Sequence, residues 1–200
     1  MMRNQLTFDP VQHIYKLNGI VLPSVTQIMN PLSREEYKTV DDLILERAAA
    51  RGTKVHEAIE FYELYGMEDC PSEVRGYFDA YLAWRKDYKP EVLSSEQATW
   101  HTGLLYAGTA DLIVKLNGRT YLIDLKTTSV INDMLTTVQL EAYARSLACH
   151  GVSLDGKAIL QLKKDGTYQF KEYQNPDIEA WDTFTSLIKV RAHINKYKEA

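Results

Sequence analysis

One stretch limits the fold more than any other: "ADLIVKLNGRTYLIDLK", residues 110–126. Asn117-Gly118 between alternating apolar residues is a strong signal for a two-residue hairpin turn. With that loop, Leu116 pairs with Arg119, and every later pair sums to 235. Leu112, Val114 and Leu116 then share a face with Tyr121, Ile123 and Leu125, a uniformly apolar set. Asp111, Ile113 and Lys115 lie on the other face with Thr120, Leu122, Asp124 and Lys126. A one-residue slip would mix the two sets, so the pattern fixes the register.

This register predicts Asp111 directly across from Asp124, with Cβ atoms about 5 Å apart. Two carboxylates at that distance repel each other unless a cation lies between them. Hard divalent cations such as Mg²⁺ take one or two carboxylates together with water and phosphate oxygens. Lys126 shares the face, one pleat step beyond Asp124. Taken alone, Asp124 and Lys126 also read as a solvated ion pair worth little. Both acids on one rung, with a lysine beside them, point towards chemistry.

The 200 residues suggest one domain, with a hairpin and short helix over 1–30, a helical segment over 41–90, a sheet core over 91–175 and a last helix over 176–200. With 45% hydrophobic and 25% charged residues, the chain has material for a soluble core. No apolar run reaches the roughly 18 residues of a membrane span, and the first residues lead into a strand-like segment, so a cytoplasmic protein is expected. Cys70 and Cys149 lack Cys-x-x-Cys spacing and read as reduced thiols. The net charge of −4 argues against a surface that coats nucleic acid broadly, and leaves room for a local basic track.

Along the chain, Asn18-Gly19 marks an N-terminal hairpin, and Ser24 caps a short helix expected to end at Pro31. Residues 40–66 read as helix with a break at Gly52, and 72–88 as another, with Val74, Tyr77, Phe78, Tyr81 and Leu82 at helical spacing. Three strands follow over 91–126, then a helix over 132–151, a hairpin around Asp165-Gly166 and a final helix after Pro176. This order predicts an α/β (α+β) fold with a mixed central sheet flanked by helices.

The residues of the hairpin resemble the core of the PD-(D/E)xK nuclease superfamily. Asp111 matches its first acid, and Asp124-Leu125-Lys126 its (D/E)xK element. "RGTKVHEAIE" is similar to the Gly-x-x-x-His element of RecB-type nucleases, through Gly52 and His56, and "QLEAY" to their Gln-x-x-x-Tyr element, through Gln139 and Tyr143. Four elements in order span residues 52–143. "IYKLNGIVLPSVTQIM" is more loosely similar to the opening of small phage-type exonucleases. With two cysteines and not four, the chain resembles the branch without an iron–sulfur cluster.

The resemblance implies a restriction-endonuclease-like core and a DNA phosphodiester hydrolase, with an exonuclease of phage-type recombination, repair or replication as first reading. The alternatives are a structure- or sequence-specific endonuclease and a non-catalytic DNA-binding or interaction module. It implies Mg²⁺ or Mn²⁺ held by Asp111, Asp124, the Leu125 carbonyl and His56. Lys126 would act on water or phosphate, and Gln139 and Tyr143 would position the substrate. Gly52 would let its helix approach the site or the DNA closely. Glu57, Glu60 and Glu96 read as surface charges, with support of the metal as the alternative. Arg85, Lys86, Lys89, Lys163, Lys164, Lys189, Arg191, Lys196 and Lys198 are candidates for tracking phosphates. The expected partners are linear DNA, a single-strand annealing or recombination protein, and further copies of the chain, with no membrane.

Overall fold

The computed structural model describes residues 5–10 and 12–198. The N-terminal sheet is antiparallel: β1 (Leu6–Asp9), β2 (Ile14–Leu17) and β3 (Ile20–Leu22). Its expected hairpin is present. Leu17 pairs with Ile20, and Asn18 and Gly19 both have positive φ, as a primed two-residue turn requires. β1 adds a third strand at the edge of β2.

Helix α1 (Val25–Glu36) starts at a capping box between Ser24 and Gln27. It runs through Pro31 and does not stop there, contrary to the expectation from the sequence. A proline within a helix leaves the carbonyl four residues earlier without its donor. That carbonyl belongs to Gln27, and the Arg191 guanidinium lies 3.4 Å from it. Helix α2 (Asp42–Tyr65) is likewise unbroken at Gly52, and ends at Gly66 in the left-handed conformation. A 3-10 turn (Ser72–Val74) leads into α3 (Arg75–Tyr88).

The central sheet has the order β4 (Glu91–Trp100), β5 (Ala107–Leu116), β6 (Arg119–Lys126), β7 (Gly156–Leu162), β8 (Tyr168–Tyr173). All neighbours are antiparallel except β6 and β7, which the crossover helix α4 (Asp133–Ala148) joins in parallel. The sheet is mixed and flanked by helices, as expected. Helix α5 (Ile178–Lys198) closes the described chain, and residues 199–200, part of the expected last helix, lie outside it.

Both faces of this sheet are buried. Leu112, Val114, Tyr121, Ile123, Ala158 and Leu160 pack under α2 and α3, through Val55, Ile59, Phe78, Tyr81 and Trp84. Ile113, Leu122 and Ile159 on the other face pack under α1, α4 and α5, through Ile28, Leu140, Leu147 and Phe184. Polar groups on that second face therefore lie at the edge of a core. No helix among the described residues is long and apolar enough to cross a membrane.

Candidate active site

The predicted register of β5 and β6 is present from Leu116↔Arg119 to Leu112↔Ile123. Asp111 and Asp124 lie one step beyond the last ladder pair. There the Leu125 N–H donates to Asp111 Oδ2 at 2.7 Å, so a side chain takes over from the backbone. Asp124 is 3% exposed, and its Oδ2 lies 2.7 Å from Lys126 Nζ. This pair is mostly buried, which separates it from the solvated pair weighed from the sequence. Lys126 Nζ also donates to Gln139 Oε1 at 2.9 Å, which ties α4 to the strand end.

From the opposite side, α2 brings in His56. Its Nε2 lies 3.3 Å from the Leu125 carbonyl oxygen, and its Nδ1 lies 3.0 Å from Glu96 Oε1 and 3.7 Å from Asp111 Oδ1. Glu96 is the residue whose place in the fold the sequence concealed. Ser95 pairs with Leu112 and Gln97 with Ala110, so Glu96 falls on the rung of Asp111. Its φ of 47° puts a non-glycine residue in the left-handed region within a strand, a strain of about 1–3 kcal/mol. The surface-charge reading of Glu96 is corrected: it is half-buried and bonded to His56.

His56, Glu96 and Asp111 each offer an atom within 4.8 Å of the others. One imidazole nitrogen, carboxylate oxygens and a nearby carbonyl oxygen form a donor set suited to Mg²⁺ or Mn²⁺. The charges at the site show the same imbalance. Burial pushes the Asp111 carboxyl up, and Asp124 and Glu96 push it further, against the pull of His56. Burial drives His56 down, yet Asp111 and Glu96 outweigh it and hold the imidazole up at about 9. For Lys126, burial favours the neutral amine, but Asp124 and Asp111 hold it above its ordinary value. The carboxylates outnumber the cations that face them.

Tyr143 is buried beside this cluster. Burial and then Asp111 raise its hydroxyl well above the usual range, while Gln139 pulls the other way. Its ring lies where a Cβ at Gly108 would stand, only 2.5 Å from Tyr143 Cε1, so the glycine makes room for it. At Gly52 no close packing within the protein is present. A Cβ there would meet only Thr127 Oγ1, at 3.9 Å. Gly52 instead borders an open cavity of about 650 Å³ that His56, Glu96, Asp111 and Tyr143 also line.

Glu57 and Glu60 line this cavity too, and burial raises the Glu60 carboxyl, with Glu96 and Glu57 adding to the effect. Among the described residues, none of the candidate phosphate-tracking side chains lines it. Arg85 is engaged with Glu63 and lies over the Tyr62 ring, and Arg191 with the Gln27 carbonyl. Lys86, Lys89, Lys163, Lys164, Lys189 and Lys196 are exposed elsewhere, and the Lys198 side chain lies outside the described residues. Arg51, not singled out from the sequence, reaches Thr127 just after the lysine, with Nε 3.4 Å from its Oγ1.

No family model and no curated protein matches the chain. Among solved structures it is similar to LHK-Exo in complex with dAMP, at 13% identity, 89% of this chain, 92% of that chain and a TM-score of 0.48. It is similar to an alkaline exonuclease, LHK-Exo, from Laribacter hongkongensis, at 13% identity over 72% and 82% of the two chains, TM-score 0.41. It is also similar to SSO0001, at 16% identity over 72% and 74%, TM-score 0.39.

Proposed function

We propose that this protein is a divalent-metal-dependent deoxyribonuclease that removes nucleotides from the ends of linear DNA. The observation that carries the reading is the half-buried, charge-unbalanced cluster of His56, Glu96 and Asp111, which lines an open cavity beside the Asp124–Lys126 pair. Asp111, Asp124, Glu96, His56 and the Leu125 carbonyl are the groups that would hold Mg²⁺ or Mn²⁺. Such a cation, when bound, screens the phosphate charge and lowers the pKa of a coordinated water.

The chain's own groups have separable roles in this reading. The ion pair with Asp124 keeps Lys126 protonated. Lys126 then serves as a fixed cation that orients water and stabilises charge building on the phosphate oxygens, and does not serve as the base. Gln139 holds the Lys126 ammonium from α4. The Leu125 N–H fixes one oxygen of Asp111 and leaves the other turned towards His56. Tyr143, seated by Gly108, closes the wall of the site next to Gln139.

The test is incubation of the protein with end-labelled linear single and double strands beside a covalently closed circle. Mg²⁺ and Mn²⁺ are both expected to support release of mononucleotides from linear DNA, with Mn²⁺ at least as effective at low concentration because a nitrogen ligand favours it. Asp124→Ala and Lys126→Ala are each expected to lower the rate at least about a hundredfold. Cutting of the closed circle would establish an endonuclease instead. Unchanged turnover in both variants would remove the catalytic assignment.

A further inference from the structure

We propose that the N-terminal sheet is a base-binding wall of this site, on which Phe8 and His13 hold one unpaired nucleobase while its phosphate lies at the carboxylates. The proposal rests on the nuclease reading and adds the substrate class: single strands, or duplex ends that fray.

Two unlike sets of residues line the cavity. One holds His56, Glu96 and Asp111. The other comes from the β1–β2 hairpin, through Phe8, Pro10, His13 and Tyr15. The Phe8 and Tyr15 rings stack at 4.4 Å and 22°, and the His13 ring stands edge-on to both, at 5.2 and 5.8 Å. Tyr15 is buried, and its hydroxyl hydrogen bonds with Thr109 Oγ1 at 2.8 Å, which anchors the wall to β5. Phe8 and Tyr15 have a packing role beside Leu6 and Leu17, which accounts for their presence without any ligand. Packing accounts for less of His13, whose ring contacts among the described residues are the two edge-on ones with Phe8 and Tyr15. It is exposed, and its φ of 53° is one that side chains disfavour.

Charge decides what the cavity accepts. Among the described residues, four carboxylates line the cavity, from Glu57, Glu60, Glu96 and Asp111, and no lysine or arginine does. A run of phosphates would be repelled along such a wall. A flat, uncharged base would not be, and stacking on aromatic rings tolerates any base. A base inside a duplex keeps its own neighbours and its partner, so it cannot enter. A base on a single strand or at a frayed terminus can.

The experiment compares oligonucleotides whose terminal nucleotide carries either a base or an abasic tetrahydrofuran, at each end in turn. The wild type is expected to show a kcat/KM about ten times higher for the base-bearing end, within the range that base–aromatic stacking supplies. His13→Ala is expected to bring this ratio close to one, and His13→Phe to restore it. Phe8→Leu, which keeps an apolar side chain in the N-terminal core, is expected to lower it as well. A wild-type ratio of one at both ends, or a full ratio in both His13→Ala and Phe8→Leu, overturns the proposal. Fluorescence anisotropy of the same oligonucleotides on Asp124→Asn protein separates the two readings. A preference for the base-bearing strand there supports the wall even if the wild type hydrolyses nothing, and equal binding of the two strands overturns it.

Discussion

Two ionic clusters meet the same face of the central sheet, one through Lys157 and the other through Asp111, Asp124 and Lys126, and they are built on opposite principles. In one, Glu141 of α4 takes Lys157 of β7 and Arg145 of α4, and accepts the Asp177 N–H. Glu141 and Lys157 are each 1% exposed, and both carboxylate oxygens have partners. In the other, Glu96, Asp111 and Asp124 meet Lys126 and His56, and the carboxyl of Asp111 is pushed up by burial and by its acidic neighbours. A closed cluster of the first kind holds strands and helices in register. A cluster with surplus negative charge works against folding unless a cation joins it. The glycine content of the two helices agrees: α4 has none, whereas α2 carries Gly52 in its interior, facing the cavity.

The largest expected effect comes from breaking the closed cluster. Lys157→Met leaves Glu141 buried with less compensation and should cost about 3–5 kcal/mol. That is a fall of roughly 10 °C in melting temperature, the same with and without divalent cation, by differential scanning calorimetry. A neutral result would mean that this cluster does not hold the fold. Asp111→Asn should do the reverse. The amide keeps an acceptor for the Leu125 N–H and removes a repelled charge. In metal-free protein it should raise the melting temperature by roughly 2–4 °C, the shift for about 1 kcal/mol in a chain of this size.

The pH dependence sharpens the same contrast. His56 is raised to about 9, so its stabilising effect is complete below its ordinary value of 6.5 and is lost as the pH rises through about 9. Asp111, also raised, acts with the same sign. Metal-free protein should therefore melt a few degrees lower at pH 9.5 than at pH 6. Saturating Mn²⁺ should stabilise more at the higher pH, because it then displaces no proton from its ligands. A melting curve indifferent to pH would show that the site carries no such imbalance. The smallest effect is at Gly52→Ala. With nothing closer than 3.9 Å to the new methyl, the helix should gain up to about 1 kcal/mol, while the KM for DNA rises because the methyl enters the cavity.

The β5–β6 hairpin was legible because Asn117-Gly118 states its own register and the alternation on both sides agrees with it. The rung of Glu96 was not. The β4–β5 connection, residues 101–106, carries no two-residue turn signal, and β4 contains a register shift between Val92 and Ser94. No count along the sequence puts Glu96 beside Asp111. Pro31 misled for a related reason: it marks a lost hydrogen bond, and the donor near the freed carbonyl comes from Arg191, 164 residues away. The aromatic cluster of Phe8, His13 and Tyr15 was hidden too, because it lines the cavity only when the N-terminal sheet docks on β5 through Tyr15 and Thr109.

In the proposed function the open cluster holds a divalent cation. Calorimetric titration of Mn²⁺ into metal-free protein at pH 8, beside Asp111→Asn, tests it most directly. Saturable binding in the wild type, weakened at least about tenfold in the variant, is the predicted result. No binding heat in the wild type, or the same isotherm in both proteins, would contradict it.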